Sequence, residues 1–191
     1  MIRQATLPLL FVLSPSFQAD PAEAIERKVR RAAVRREPVV LGTAAAPYEP
    51  VREASPLRAL MPLADGLEIA ITTASPRILG ELELMAELDR RHSVTVRLLI
   101  PVPVFLDPGP RLRAAHSLAA EGITTVLLLA PTATAREEEM RFFLEAAREA
   151  EVHDVEIETA PLRRAERPAL QDTFRRLRLE YGFPRASAGR G

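Results

Sequence analysis

Apolar, β-prone runs recur along the chain at Leu9–Leu13, Val39–Thr43, Leu67–Thr72, Val94–Ile100, Thr124–Ala130 and Val155–Thr159. From the second onward they start about 28 to 30 residues apart, the repeat of one strand, a loop, a helix and a loop. The intervening stretches carry helical signals. Asp20-Pro21-Ala22-Glu23 offers an N-cap, a proline at the first helical position and a glutamate at the third, predicting a helix to about Arg36. From Val51 to Leu63 the pattern is interrupted by Pro56 and Pro62, which predicts a broken or late-starting helix. Ser75-Pro76 predicts a capped start for a helix whose apolar stripe is Ile78, Leu79, Leu82, Met85, Ala86 and Leu88. Asp107 to Gly122 predicts another, with Leu112, Ala115, Leu118 and Ala119 inward and Gly122 as C-cap. Thr134 with Glu137 reads as a capping box for a helix to Ala150 that buries Met140, Phe143, Leu144 and Ala147. A last helix should run from about Arg167 to Tyr181 and stop at Gly182.

Six such units imply an α/β fold of parallel strands with right-handed crossovers. Two architectures fit: a partial, open TIM-type (β/α)6 barrel, with helices on the outside only, or a doubly wound parallel sheet covered on both faces. The strand faces favour the barrel. Leu67, Ile69 and Ile71 alternate with Glu68, Ala70 and Thr72; Val96, Leu98 and Ile100 alternate with Thr95, Arg97 and Leu99; Val155 and Ile157 alternate with Asp154, Glu156 and Glu158. The less apolar face would be the lumen, so Glu68, Arg97, Glu156 and Glu158 are predicted to be partly buried there. Arg97 is expected to meet Glu68 or the carboxylates of Glu156 and Glu158, because an unpaired buried charge is costly.

Length and composition change little in this picture. With 191 residues, 47% of them hydrophobic, the chain suits one domain, residues 1–185, followed by a disordered tail at 186–191. Lys+Arg and Asp+Glu are both 26, so no basic field points to nucleic acid. Lys28 is the only lysine, a usage that looks like coding bias in a GC-rich bacterial genome. The apolar run Leu7–Leu13 is interrupted by Pro8 and too short to cross a bilayer; it predicts a first strand and a cytoplasmic protein, not a signal peptide. The chain has no cysteine, which excludes thiolate nucleophiles and every cysteine-ligated metal or cluster.

Candidate chemistry gathers at strand ends. Gly42 lets the chain turn sharply out of its strand, and Pro47 and Pro50 hold the following loop extended, placing Thr43, Tyr48 and Glu49 where barrels keep function. Thr72, Thr73 and Ser75 form a hydroxyl cluster suited to a ligand carboxylate or phosphate beside a helix start. Each has a plainer reading: a loop shaped by its prolines, and helix capping. His92, His116 and His153 lie on different elements and predict no metal site; His92, at a helix end, would favour the dipole if charged. Glu137-Glu138-Glu139 reads as a favourable first helical turn, and no metal ligands are assigned.

Gly42-Thr43-Ala44-Ala45-Ala46-Pro47-Tyr48-Glu49-Pro50, Ile71-Thr72-Thr73-Ala74-Ser75-Pro76 and the helix Leu79 to Leu88 together resemble the barrel of radical S-adenosylmethionine proteins close to the spore photoproduct lyase group. Arg111-Leu112-Arg113-Ala114-Ala115 and Ala120-Glu121-Gly122-Ile123 are similar to that group as well, so the likeness spans about Ile25 to Ala150. The resemblance implies a [4Fe–4S] cluster on a CxxxCxxC loop after the first strand, but Ser14 to Asp20 is short and holds no cysteine. The group's aspartate before Pro-Tyr is Ala46 here, and its lysine before Ser-Pro is Ala74. Without thiolates no cluster forms, and without a cluster no electron reaches the sulfonium.

The expected function is therefore a cluster-less relative acting as a non-catalytic binding or accessory protein, with a small molecule in the lumen or a protein partner. No cofactor is expected, S-adenosylmethionine being the one the resemblance leaves open; neither nucleic acid nor membrane is indicated. Two alternatives stand beside it. One is a metal-free enzyme using Glu49, Glu156, Glu158 or the threonines at the barrel mouth; the other is a radical enzyme component whose cluster segment lies elsewhere or was lost.

Overall fold

The computed structural model describes residues 11–13, 38–45, 47–50, 55–62, 65–103, 107–160 and 162–183. The helix expected to end near Arg36, the helical start at Val51 and the tail at 186–191 lie outside the described residues. Six strands, β1 (Phe11–Leu13), β2 (Val39–Leu41), β3 (Glu68–Thr73), β4 (Ser93–Val102), β5 (Thr124–Pro131) and β6 (Asp154–Ile157), form one parallel sheet in sequence order. Every neighbouring pair is parallel, and β1 and β6 are not paired with each other, so the sheet is open. The order contains no reversal point of the kind a doubly wound sheet turns on.

Alternation along the strands sorts the two faces. Val94, Val96, Leu98, Ile100 and Val102 of β4 are fully buried, and with Ile69 and Ile71 of β3, Leu127 and Leu129 of β5 and Val155 of β6 they form one apolar layer. The same cluster takes in the inner faces of α1 (Leu82–Asp89), α2 (Gly109–Ala120), α3 (Glu137–Glu149) and α4 (Arg167–Glu180). The four described α-helices therefore cover one face of the sheet. The opposite face carries Glu68, Ala70, Thr72, Thr95, Arg97 and Glu156. Among the described residues no helix is long and apolar enough to cross a membrane.

Helix starts depart from expectation where a nearer partner takes the free N–H groups. Helix α3 has its N-cap at Arg136, not Thr134: Glu139 accepts the Arg136 N–H at 2.8 Å, while the Thr134 hydroxyl bonds that of Thr132 at 2.9 Å. Ser75 makes no side-chain cap; a 3-10 turn, Pro76–Glu81, precedes α1 instead. The late-starting second helix is a single 3-10 segment, Pro56–Leu60, capped by the Ser55 hydroxyl. Asp107 stays outside α2 and accepts the Gly109 N–H at 2.9 Å, and Ala114 joins Ala115 and Leu118 on the buried side while Leu112 and Ala119 are half-buried. The α3 core face is Met140, Phe143, Leu144 and Ala147, as the pattern predicted.

Two histidines serve the sheet. His92 Nδ1 accepts the Leu67 N–H at 3.4 Å, just before β3, and His153 Nδ1 accepts the Thr125 N–H at 3.1 Å, within β5. Each sits one residue before a strand and satisfies a backbone donor of the strand beside it. Burial, reinforced by the neighbouring Arg91 charge, holds the His92 pKa below the usual imidazole range. His92 is thus a neutral acceptor, not the helix-end cation its position suggested. On the outer surface, Glu137 and Arg141 of α3 close a ring of ion pairs with Arg176 and Glu180 of α4, with four N–O contacts of 2.8 Å.

Candidate functional site

The sheet face opposite the described helices holds a trough of about 550 Å³. Its centre is set by register: Thr72 of β3 lies opposite Arg97 of β4, which lies opposite Val126 of β5, which lies opposite Asp154 of β6. One side-chain step further along, Leu99, Leu128 and Glu156 form the next row. Because residues of one face alternate along each strand, Arg97 and Glu156 project to the same side with β5 between them. Arg97 reaches across Val126 and Leu128, and its Nε donates to Glu156 Oε2 at 3.1 Å. The two side chains are 31% and 37% exposed, so the pair is half-buried in the trough wall.

Glu68 also lines the trough but does not meet Arg97. It pairs in register with Ser93, four residues below Thr72 along the strand, or about 13 Å away at the usual rise. There it is exposed, not partly buried. Glu158 lies just beyond β6; its Oε1 accepts the Ala160 N–H at 2.7 Å. Asp154 instead turns to α4, where Arg178 donates to it at 2.5 Å, and burial raises its carboxyl pKa despite that partner.

Among the hydroxyl candidates, Thr72 and Thr73 face opposite ways. Thr72 is 5% exposed and lines the trough with Thr43. Thr73 is fully buried on the helix side, where its Oγ1 donates to the Tyr48 carbonyl at 2.6 Å and accepts the Ser75 N–H at 3.0 Å. The Tyr48 N–H donates to the Thr72 carbonyl at 2.7 Å, and the Tyr48 hydroxyl donates to the Glu81 carboxylate at 3.0 Å. Burial, with the Glu81 charge beside it, pushes the Tyr48 pKa far above the usual phenol range, so it stays protonated as the donor. Gly42 makes this seam possible: its φ is +76°, and a Cβ there would lie 2.3 Å from the Tyr48 nitrogen and 2.5 Å from the Thr72 carbonyl oxygen. Glu49 is exposed on the same loop, and Ser75 is buried beside Thr73. Tyr48, Thr73 and Ser75 thus pin the loop after β2 to the end of β3, whereas Thr43, Thr72, Arg97, Glu156 and Glu158 meet at one trough.

Two features of this arrangement escaped sequence reasoning. The partner of Arg97 depends on strand register, which alternation alone does not set. The Tyr48–Glu81 bond joins residues 33 apart in the chain. Among the described residues no group of three His, Cys, Asp or Glu side chains could hold a metal ion. The residues do not fit an iron–sulfur cluster: the whole chain supplies no thiolate. The trough offers a guanidinium, carboxylates and a hydroxyl, a donor set for binding polar organic groups. No protein-family model matches the chain, and no curated protein matches it.

Proposed function

We propose that this chain is a cluster-less relative of the radical S-adenosylmethionine barrels, a partial (β/α)6 barrel that holds a small polar molecule as a non-catalytic binding or accessory protein. The observation that carries the reading is the trough itself: Thr72, Arg97 and Glu156 brought together on the sheet face opposite the described helices. Parallel strands in sequence order with helices on one side favour the barrel form, because right-handed crossovers then wind always the same way. The ion pair favours binding, since it fixes a guanidinium on a rigid sheet before any ligand arrives.

A thermal-shift screen of polar metabolites against the full chain tests this. At least one should raise the melting temperature, and Arg97→Ala should abolish the shift. A screen without a hit, or hits indifferent to Arg97→Ala, would overturn the reading. Anaerobic incubation with iron, sulfide and S-adenosylmethionine should yield neither cluster absorption nor deoxyadenosine; either product would favour the radical enzyme instead.

A further inference from the structure

Resting on that reading, we infer that the trough takes an amphoteric molecule, its carboxylate on Arg97 and Thr72 and its protonated amine some ångströms away at Glu156 and Glu158. The first observation is the way Arg97 is held. Glu156 engages only Nε, and the structure gives neither Nη a partner among the described residues, so the end-on fork that receives a carboxylate with two parallel bonds stays open. The second is Thr72. Its hydroxyl has no hydrogen-bond partner among the described residues, yet the residue is 5% exposed and lines the trough directly opposite Arg97 in register. The hydroxyl oxygen is not sealed from solvent: it opens onto the trough, where it can donate to a ligand oxygen.

The acceptors lie on the other side. Glu156 has one oxygen beyond its bond to Arg97, and Glu158 has one beyond its bond to the Ala160 N–H. Strands lie about 4.8 Å apart, so the backbone of β6 is about 10 Å from that of β4, and the Arg97 side chain spans that gap to meet Glu156, with Glu158 two residues further along. Charge narrows the class further. Around the centre, two carboxylates stand against one guanidinium, which disfavours a dianion such as phosphate and leaves an anionic group only the Arg97 fork.

Three probes of one chain length separate the possibilities: 6-aminohexanoate, hexanoate and hexylamine, titrated calorimetrically into the full chain at low salt. 6-Aminohexanoate should bind about tenfold more tightly than either singly charged probe, as one further charge-assisted hydrogen bond provides. Thr72→Val should weaken it severalfold while leaving the melting temperature unchanged or higher. Glu158→Gln should weaken 6-aminohexanoate and hexylamine but not hexanoate. Equal binding of hexanoate or of hexylamine, or indifference to Thr72→Val, would overturn the inference. If all three probes fail while a screened metabolite binds in an Arg97-dependent way, the amphoteric assignment falls and the binding function stands; if that metabolite is also missing, both fall.

Discussion

Breaking the Arg97–Glu156 pair is the most direct way to measure how wet the trough is. Arg97→Met keeps the stem that crosses Val126 and Leu128 and removes only the charge; Glu156→Gln removes the other partner; the double variant closes the cycle. Two unit charges about 4 Å apart attract by about 1 kcal/mol in water and about 4 kcal/mol at a protein-surface dielectric of roughly 20. The side chains are 31% and 37% exposed and share a single contact at 3.1 Å, not a fork. The coupling should therefore lie near the aqueous end, about 0.5–1 kcal/mol. Urea unfolding of the four proteins gives it, and a rise in ionic strength from about 0.01 M to about 1 M, which shortens the screening length from about 30 Å to about 3 Å, should remove most of it. A coupling of about 3 kcal/mol or more would mean a desolvated pair and a closed interior. No coupling at low salt would mean the bridge across β5 does not form, and the trough would lose its anchor.

The seam at the end of β3 should be far less forgiving than an ordinary turn. Gly42→Ala meets both a positive φ and two backbone atoms, whereas Gly66→Ala meets a positive φ of 86° with nothing within 4 Å. Denaturant unfolding should give a loss of about 3 kcal/mol or more for the first and about 1 kcal/mol for the second; equal losses would show that the contact with Tyr48 and Thr72 is absent. The α3–α4 ring should make the fold acid-sensitive. Hydrogen bonds from Arg176, and then from Arg141, hold Glu137 and Glu180 below the usual carboxylate range. Their contribution is full above the unfolded value of about 4.3 and is lost as pH falls through the lowered folded values. The stability difference between the natural chain and Glu137→Gln/Glu180→Gln should vanish in that window, and a difference that persists at lower pH would refute the ring.

What the sequence made legible follows from local pattern. Alternation in β4 located its buried residues, and the i, i+3, i+4 spacing of Met140, Phe143, Leu144 and Ala147 located the inner face of α3, because both signals are written within a few neighbouring residues. Glu68, Arg97, Glu156 and Glu158 all line the trough, but Glu68 is exposed there and not partly buried as alternation suggested. Pairing was not legible. Whether Arg97 meets Glu68 or Glu156 depends on register, and the observed register puts Thr72, not Glu68, opposite Arg97. Thr72 and Thr73 read as one hydroxyl cluster in sequence, yet the period of two sends one to the trough and the other to the core. His92 read as a helix-end cation because the helix is local, whereas the Leu67 N–H it accepts belongs to a residue 25 positions earlier.

The same period of two explains how the fold can keep a rigid frame and a polar binding face within adjoining residues. Thr73 gives its hydroxyl to Tyr48 and Ser75, so the loop after β2 and the turn before α1 are tied to β3 from the helix side. Thr72 gives the same loop its backbone carbonyl, through the Tyr48 N–H, and keeps its side chain for the trough. Backbone and side chain of one residue thus serve different ends. A substitution confined to the Thr72 hydroxyl acts on the trough without loosening the seam, since the seam uses only its carbonyl. A change at Thr73 removes bonds that hold two loops, at about 1 kcal/mol each or more where a buried group is left unpaired. Loss of binding together with loss of stability at Thr72 would show that these two uses are not separable, and the assignment of its side chain to a ligand would go with them.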